Sequence, residues 1–149
     1  MGPIALSRLF DTVGRRPMIA LSYGAAGILL AITGVLFAAG SLTAVTQTVL
    51  WCGVFFVASA AASSAYLTVS ELFPVELRGM AIAFFYAVGT AVGGLGAPVL
   101  LGALIESGSR PRVAAAYVFG GALFLAGAVA ASVFGIAAER KSLEDIAAM

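Results

Sequence analysis

Residues 17–70, 80–105 and 113–138 contain no Asp, Glu, Lys, Arg or His. Every charge sits in the short gaps between these runs or at the chain ends. A soluble domain is about a quarter charged and cannot accommodate such stretches. An uncharged apolar run longer than about 18 residues reads as a membrane span. The solvent of this chain is therefore lipid, and its chemistry must lie in the gaps and at a few polar positions inside the spans. The apolar runs are continuous, without the period-2 alternation of barrel strands, so the expected spans are helices.

The 54-residue run from Pro17 to Ser70 would measure about 80 Å as a single helix. The hydrocarbon core is about 30 Å thick, so the run must cross twice. The break falls at Gly40-Ser41-Leu42-Thr43, the polar, Gly-containing cluster near its middle. This predicts four spans, at residues 18–39, 45–70, 80–105 and 113–137. Residues 11–17 and 71–79 become loops on one face, and 138–149 a tail on that same face. Residues 1–10 are too short to cross and read as the last turns of a helix whose beginning is missing. Arg8, Arg15, Arg16, Arg78, Arg140 and Lys141 fall on one side of the membrane, and Arg110 and Arg112 on the other. The positive-inside rule makes the first side cytoplasmic. The expectation is a multi-pass protein of the cell (inner) membrane with both termini in the cytoplasm. Pro17 suits the first position of a helix, and Gly14 permits the tight turn before it. In the tail, Ser142 and Asp145 have the spacing of a short helix start.

Helices in lipid associate closely where small residues meet. Gly89-Thr-Ala-Val-Gly93 followed by Gly94, Gly96 and Gly102 marks the third span; Gly24 and Gly27 mark the first, and Gly120, Gly121 and Gly127 the fourth. Pro98 should kink the third. These glycines suit tight packing or a flexible helix lining a pathway. In the second span Thr48, Cys52, Ser59, Ser63, Tyr66 and Ser70 share one helical face, and in the third Tyr86 and Thr90 do the same. Such a stripe either hydrogen-bonds neighbouring helices or faces a water-filled cavity and touches a substrate. On the second reading Ser59, Ser63, Tyr66, Tyr86 and Thr90 are the substrate-pathway candidates.

Asp11-Thr-Val-Gly14-Arg15-Arg16-Pro17 and Glu71-Leu-Phe-Pro74-Val-Glu76-Leu-Arg78-Gly79 hold most of the loop charge. Two crossings separate them, so they return to one membrane face and can meet. Each partly solvated ion pair contributes about 0–1 kcal/mol, and several together can bias a two-state protein. The pattern Asp11-x-x-Gly14-Arg15-Arg16-Pro17, two spans, then Ser70-Glu71-Leu-Phe-Pro74-x-x-x-Arg78-Gly79 resembles the major facilitator superfamily, and within it the sugar-porter and metabolite:proton symporter branch. The Lys141-Ser-Leu-Glu-Asp-Ile tail resembles that branch too. The resemblance implies an all-α transmembrane fold in which these are helices nine to twelve, the C-terminal four of twelve. It also implies that Asp11, Arg15, Arg16, Glu71 and Arg78 form a cytoplasmic gate, closed when the protein faces outward. The sugar-binding pattern departs: Ala62-Ser63-Ser64-Ala65-Tyr66 stands where sugar porters carry Gly-Pro-x-Pro-Trp, Gly89 and Gly93 stand where Asn is frequent, and Ile136-Ala137-Ala138 replaces Pro-Glu-Thr.

The expected function is part of a secondary active transporter moving a small polar solute, such as an organic acid, a sugar or an aromatic metabolite. It would work by alternating access, with proton coupling implied by the resemblance. No ionisable side chain lies deep in the spans, so a coupling carboxylate would come from elsewhere. The expected partners are the bilayer, the small-molecule substrate and the missing N-terminal helices. The alternative is a stand-alone four-helix membrane protein with a structural role. The chain has no His, no Cys–His pair and no metal-ligand spacing, which argues against an enzyme. No metal or cofactor is implied. No basic patch exceeds two residues, which argues against nucleic-acid binding.

Overall fold

A computed structural model describes residues 13–134, apart from the side chains of residues 15, 65, 67–72 and 134. Four helices fill it: α1 (Arg15–Ala38), α2 (Ala44–Leu72), α3 (Val75–Glu106) and α4 (Arg110–Phe134). Each contains a stretch long and apolar enough to cross a membrane, and no strand occurs among the described residues. In lipid a helix satisfies its own backbone, which is why uncharged sequence of this kind takes this form.

The connections are short, and local chemistry explains each. Gly14 precedes α1 at φ 103°, a left-handed conformation that L side chains adopt only with strain. The helix starts two residues before Pro17, which therefore sits inside the first turn, where its missing N–H leaves no bond unmade. Gly40 turns the chain after α1 at φ 70°. Thr43 then caps α2: its hydroxyl accepts from the Thr46 N–H at 3.2 Å while its own N–H donates to Thr46 Oγ1 at 2.9 Å. Between α2 and α3 only Phe73 and Pro74 are non-helical, and the Pro74 carbonyl accepts from the Leu77 and Arg78 N–H groups. The loop expected at 71–79 is thus mostly helix. Glu71 is the penultimate residue of α2, and Glu76 lies in the first turn of α3, where a negative charge is favoured. α3 continues through Pro98, and Ser107, Gly108 and Ser109 lead into α4.

The tightest contact is between α1 and α4, which run antiparallel. A Cβ placed on Gly27 would lie 2.8 Å from the Gly121 carbonyl oxygen, and one on Gly121 would lie 2.8 Å from the Gly27 oxygen. One turn or two along, a Cβ on Gly34 would meet Tyr117 at 2.7 Å, and one on Gly120 would meet Leu30 at 3.1 Å. Only glycine allows the backbones this close. α2 lays Val54 and Ala61 inward, and Ala60 packs with Met18 and Ile19 of α1. Thr33 is fully buried in α1, and its hydroxyl donates to the Leu29 carbonyl at 2.7 Å, so this hydroxyl is not left bare.

α3 has no buried residue. It touches α2 near their shared turn, through Tyr66–Tyr86 (ring centroids 6.0 Å) and Phe73–Phe85 (6.5 Å). Gly89, Gly93, Gly96 and Gly102, expected as a packing or pathway surface, have nothing within 4 Å among the described residues. A GxxxG surface makes a helix able to pack closely, but contact needs small residues in register on a second helix. Here α1 and α4 supply that match to each other.

Substituting Gly27 by Val should cost about 1–3 kcal/mol by overpacking against the α4 backbone. Gly93→Val should change stability by less than about 0.5 kcal/mol. Unfolding of the purified protein in mixed micelles by increasing SDS measures both, and equal losses at the two positions would refute this account of the packing.

Candidate functional site

α2 has two distinct faces. Gln47, Leu50, Val54, Ala61 and Ser64 turn inward, buried or half-buried, while Thr48, Cys52, Ser59, Ser63 and Tyr66 lie exposed on the opposite side. The serine and threonine hydroxyls on this stripe donate to their own helix: Thr48 to Ala44 O at 2.8 Å, Ser59 to Phe56 O at 3.0 Å and Ser63 to Ser59 O at 2.9 Å. Their protons are committed, and their lone pairs remain available to an incoming donor. Of the pathway candidates, the structure brings Tyr66 and Tyr86 together across α2 and α3 at an interplanar angle of 51°. Thr90 lies one turn beyond Tyr86, exposed, with its methyl near Gly94. The result is a strip of hydroxyl acceptors ending in two aromatic rings, uncovered on the side away from α1.

The charged candidates separate. Asp11 lies outside the described residues, as do the side chains of Arg15 and Glu71. Arg16 reaches across to α4: its Nε donates to the Ser132 carbonyl at 3.1 Å, and Nη2 donates to the same oxygen. Ser132 is in the last turn of α4, where carbonyls lack intrahelical donors and the helix dipole is negative. At the other end of the same helix pair the Arg110 guanidinium lies against Gly40, where a Cβ would be 2.7 Å from Nη1. Each helix of the antiparallel pair thus places an N-terminal arginine over the C-terminal end of its neighbour. Arg78, half-buried in the first turns of α3, has its Nε enclosed with no hydrogen-bond partner among the described residues. A buried guanidinium N–H calls for an acceptor.

Sequence reasoning passed over a second polar node. Gln47 Nε2 donates to the Tyr117 hydroxyl at 2.7 Å, and that ring is flanked by Phe37 (5.7 Å) and Trp51 (6.3 Å). The available signal was compositional, since Gln47 is the single side-chain amide of the chain. Beside this node lies a crevice of about 780 Å³ lined by all four helices, with Leu30 and Phe37 as the contribution of α1. No group of three His, Cys, Asp or Glu residues that could hold a metal occurs among the described residues.

Four membrane-length helices, one carrying an uncovered polar stripe, define a multi-pass helical membrane protein. A family model described as sugar (and other) transporter matches residues 2–149. The chain belongs to that sugar-transporter family of the major facilitator superfamily, a family of transporters rather than enzymes. Neither the curated proteins nor the solved structures provide a match.

Replacing Arg16 by Gln should weaken the α1–α4 association by about 0.3–1 kcal/mol at low ionic strength, with the loss shrinking as salt screens the helix-end charge. A salt series of SDS-unfolding curves checks this. A salt-independent loss would mean that Arg16 acts by packing alone.

Proposed function

We propose that these helices are the ninth to twelfth of a twelve-helix secondary transporter that carries a small polar solute by alternating access, with residues 11–17 and 71–79 at the cytoplasmic face. The observation that carries this reading is the division of α2. Its small and apolar face lies on α1, and its hydroxyl stripe, with Tyr66 and Tyr86, lies bare on the opposite side. In a membrane, uncovered hydroxyls at this depth suit a water-filled pathway shared with further helices. The bare glycine surface of α3 supports the same arrangement.

The stripe offers hydroxyl acceptors and aromatic faces and no charge. A sugar or an aromatic metabolite can use both kinds of contact, and an organic acid would need its counter-charge from other helices. Proton coupling, which the resemblance implies, would likewise depend on a carboxylate outside these spans. The motif cations divide the work. Arg16 holds α1 to α4, and Arg78, with an enclosed Nε, is the cation that Glu71 and Asp11 would engage when the cytoplasmic side closes.

In the intact transporter, Tyr66→Ala should lower uptake at least tenfold while leaving the amount of protein in the membrane unchanged. Arg78→Ala should shift the population toward the inward-facing state, read as faster thiol labelling from the cytoplasmic side of a cysteine placed at residue 63. Wild-type uptake in the first variant would remove Tyr66 from the pathway. Unchanged labelling in the second would remove the gate. The 149-residue chain by itself, reconstituted in liposomes, should show no uptake above protein-free vesicles, because rocking needs an opposing half. Accumulation of solute would overturn the twelve-helix reading.

A further inference from the structure

The crevice, lined by all four helices, is polar at one end. That end, which we take as its mouth, lies at the 107–110 turn and carries Arg110; the Gln47–Tyr117 pair lies further in along the helices, and the remaining walls are apolar, with Phe55, Leu101 and Phe124 among them. From Arg110 at the mouth the lining continues along α3 to Ala97, and on α2 it extends from Gln47 to Ala58. The lining on α2 corresponds to about 16 Å of helix, that on α3 (Ala97–Ile105) to about 12 Å and that on α4 (Arg110–Phe124) to about 21 Å, each of the order of half the ~30 Å hydrocarbon thickness, or one leaflet. Arg110 makes no hydrogen bond or ion pair with any described residue. Arg112 is exposed beside it, and Glu106 is the acidic residue on that turn, so the mouth carries net positive charge.

We propose that this crevice binds one anionic phospholipid. The phosphate sits on Arg110, the glycerol-ester region lies at the level of Gln47 and Tyr117, and an acyl chain fills the apolar slot below. The order of chemistry from mouth to floor is that of a lipid from headgroup to tail. Trp51 and Tyr117 pack together beside Gln47, and amphipathic rings are favoured at the level of lipid headgroups. A crevice open to the bilayer fills with hydrocarbon in any case, and the unpaired arginine at its rim selects the charge of the headgroup. The site needs no transport activity and stands or falls independently of it.

The test uses the chain in nanodiscs of equimolar phosphatidylglycerol and phosphatidylcholine, with the lipids that remain bound after extraction counted by native mass spectrometry. The wild type should retain phosphatidylglycerol preferentially. Arg110→Gln should reduce that preference about fivefold, and Arg110→Lys should keep most of it. Leu101→Trp, which fills the slot, should reduce retention of both lipids with helicity by circular dichroism unchanged. Arg16→Gln, at the opposite end of the bundle, should leave the phosphatidylglycerol preference unchanged even though it loosens the α1–α4 pair. An unchanged preference in Arg110→Gln overturns the proposal, as does an equal loss in Arg16→Gln, which would show a general charge effect. If Leu101→Trp instead dissolves a dimer and leaves bound lipid untouched, a second copy of the chain occupies the crevice and the proposal fails.

Discussion

The approach of Gly27 to Gly121 sets the spacing of α1 and α4, and the remaining contacts are arranged around it. Lipid tails are as apolar as leucine, so two helices gain little by hiding side chains from them. What they gain is dense backbone-to-backbone packing, available only where both surfaces lack Cβ atoms at the crossing. The two arginines extend this logic to the helix ends. An antiparallel pair sets each positive N-terminus beside a negative C-terminus, and Arg16 on Ser132 and Arg110 over Gly40 add a full charge at both places.

The rest of the bundle grades away from that pair. α2 shares one face with it and leaves the other bare, and α3 is held to α2 at one end by two aromatic contacts, also meets α4, and leaves its glycine surface bare. On the proposed transport reading this gradient has a use. A tightly joined pair serves as scaffold, and the helices that would line the pathway are the ones whose packing is not completed among themselves. The polar stripe can be uncovered in this way because its hydroxyls already bond to their own helix and do not need a neighbour to satisfy their donors.

Much of this was legible in residue order. Charge-free runs marked the crossings, and Gly40 marked the break between the first two, because charge and backbone turns carry large local free energies in lipid. The turn at Phe73–Pro74 was overestimated as a nine-residue loop. Charged residues suggested loop, whereas Pro74 can cap α3 with the chain helical on both sides of a two-residue gap. The glycine pattern was misleading in a different way. Gly89 and Gly93 had the more familiar spacing, yet the close contact fell to Gly27 and Gly121, because closeness depends on what faces a residue and not on its own neighbours in sequence.

The order of residues alone determined the solvent of this protein, the four membrane-length helices among the described residues and the family to which it belongs. Each of these follows from hydropathy and short motifs that act locally along the chain. Only the tertiary structure decided which arginine is tied to a helix end, which face of α2 stays bare and where the crevice opens. Those outcomes depend on register between residues more than 90 positions apart, such as Gly27 with Gly121 and Arg16 with Ser132, and no local pattern encodes which of several small-residue faces will meet.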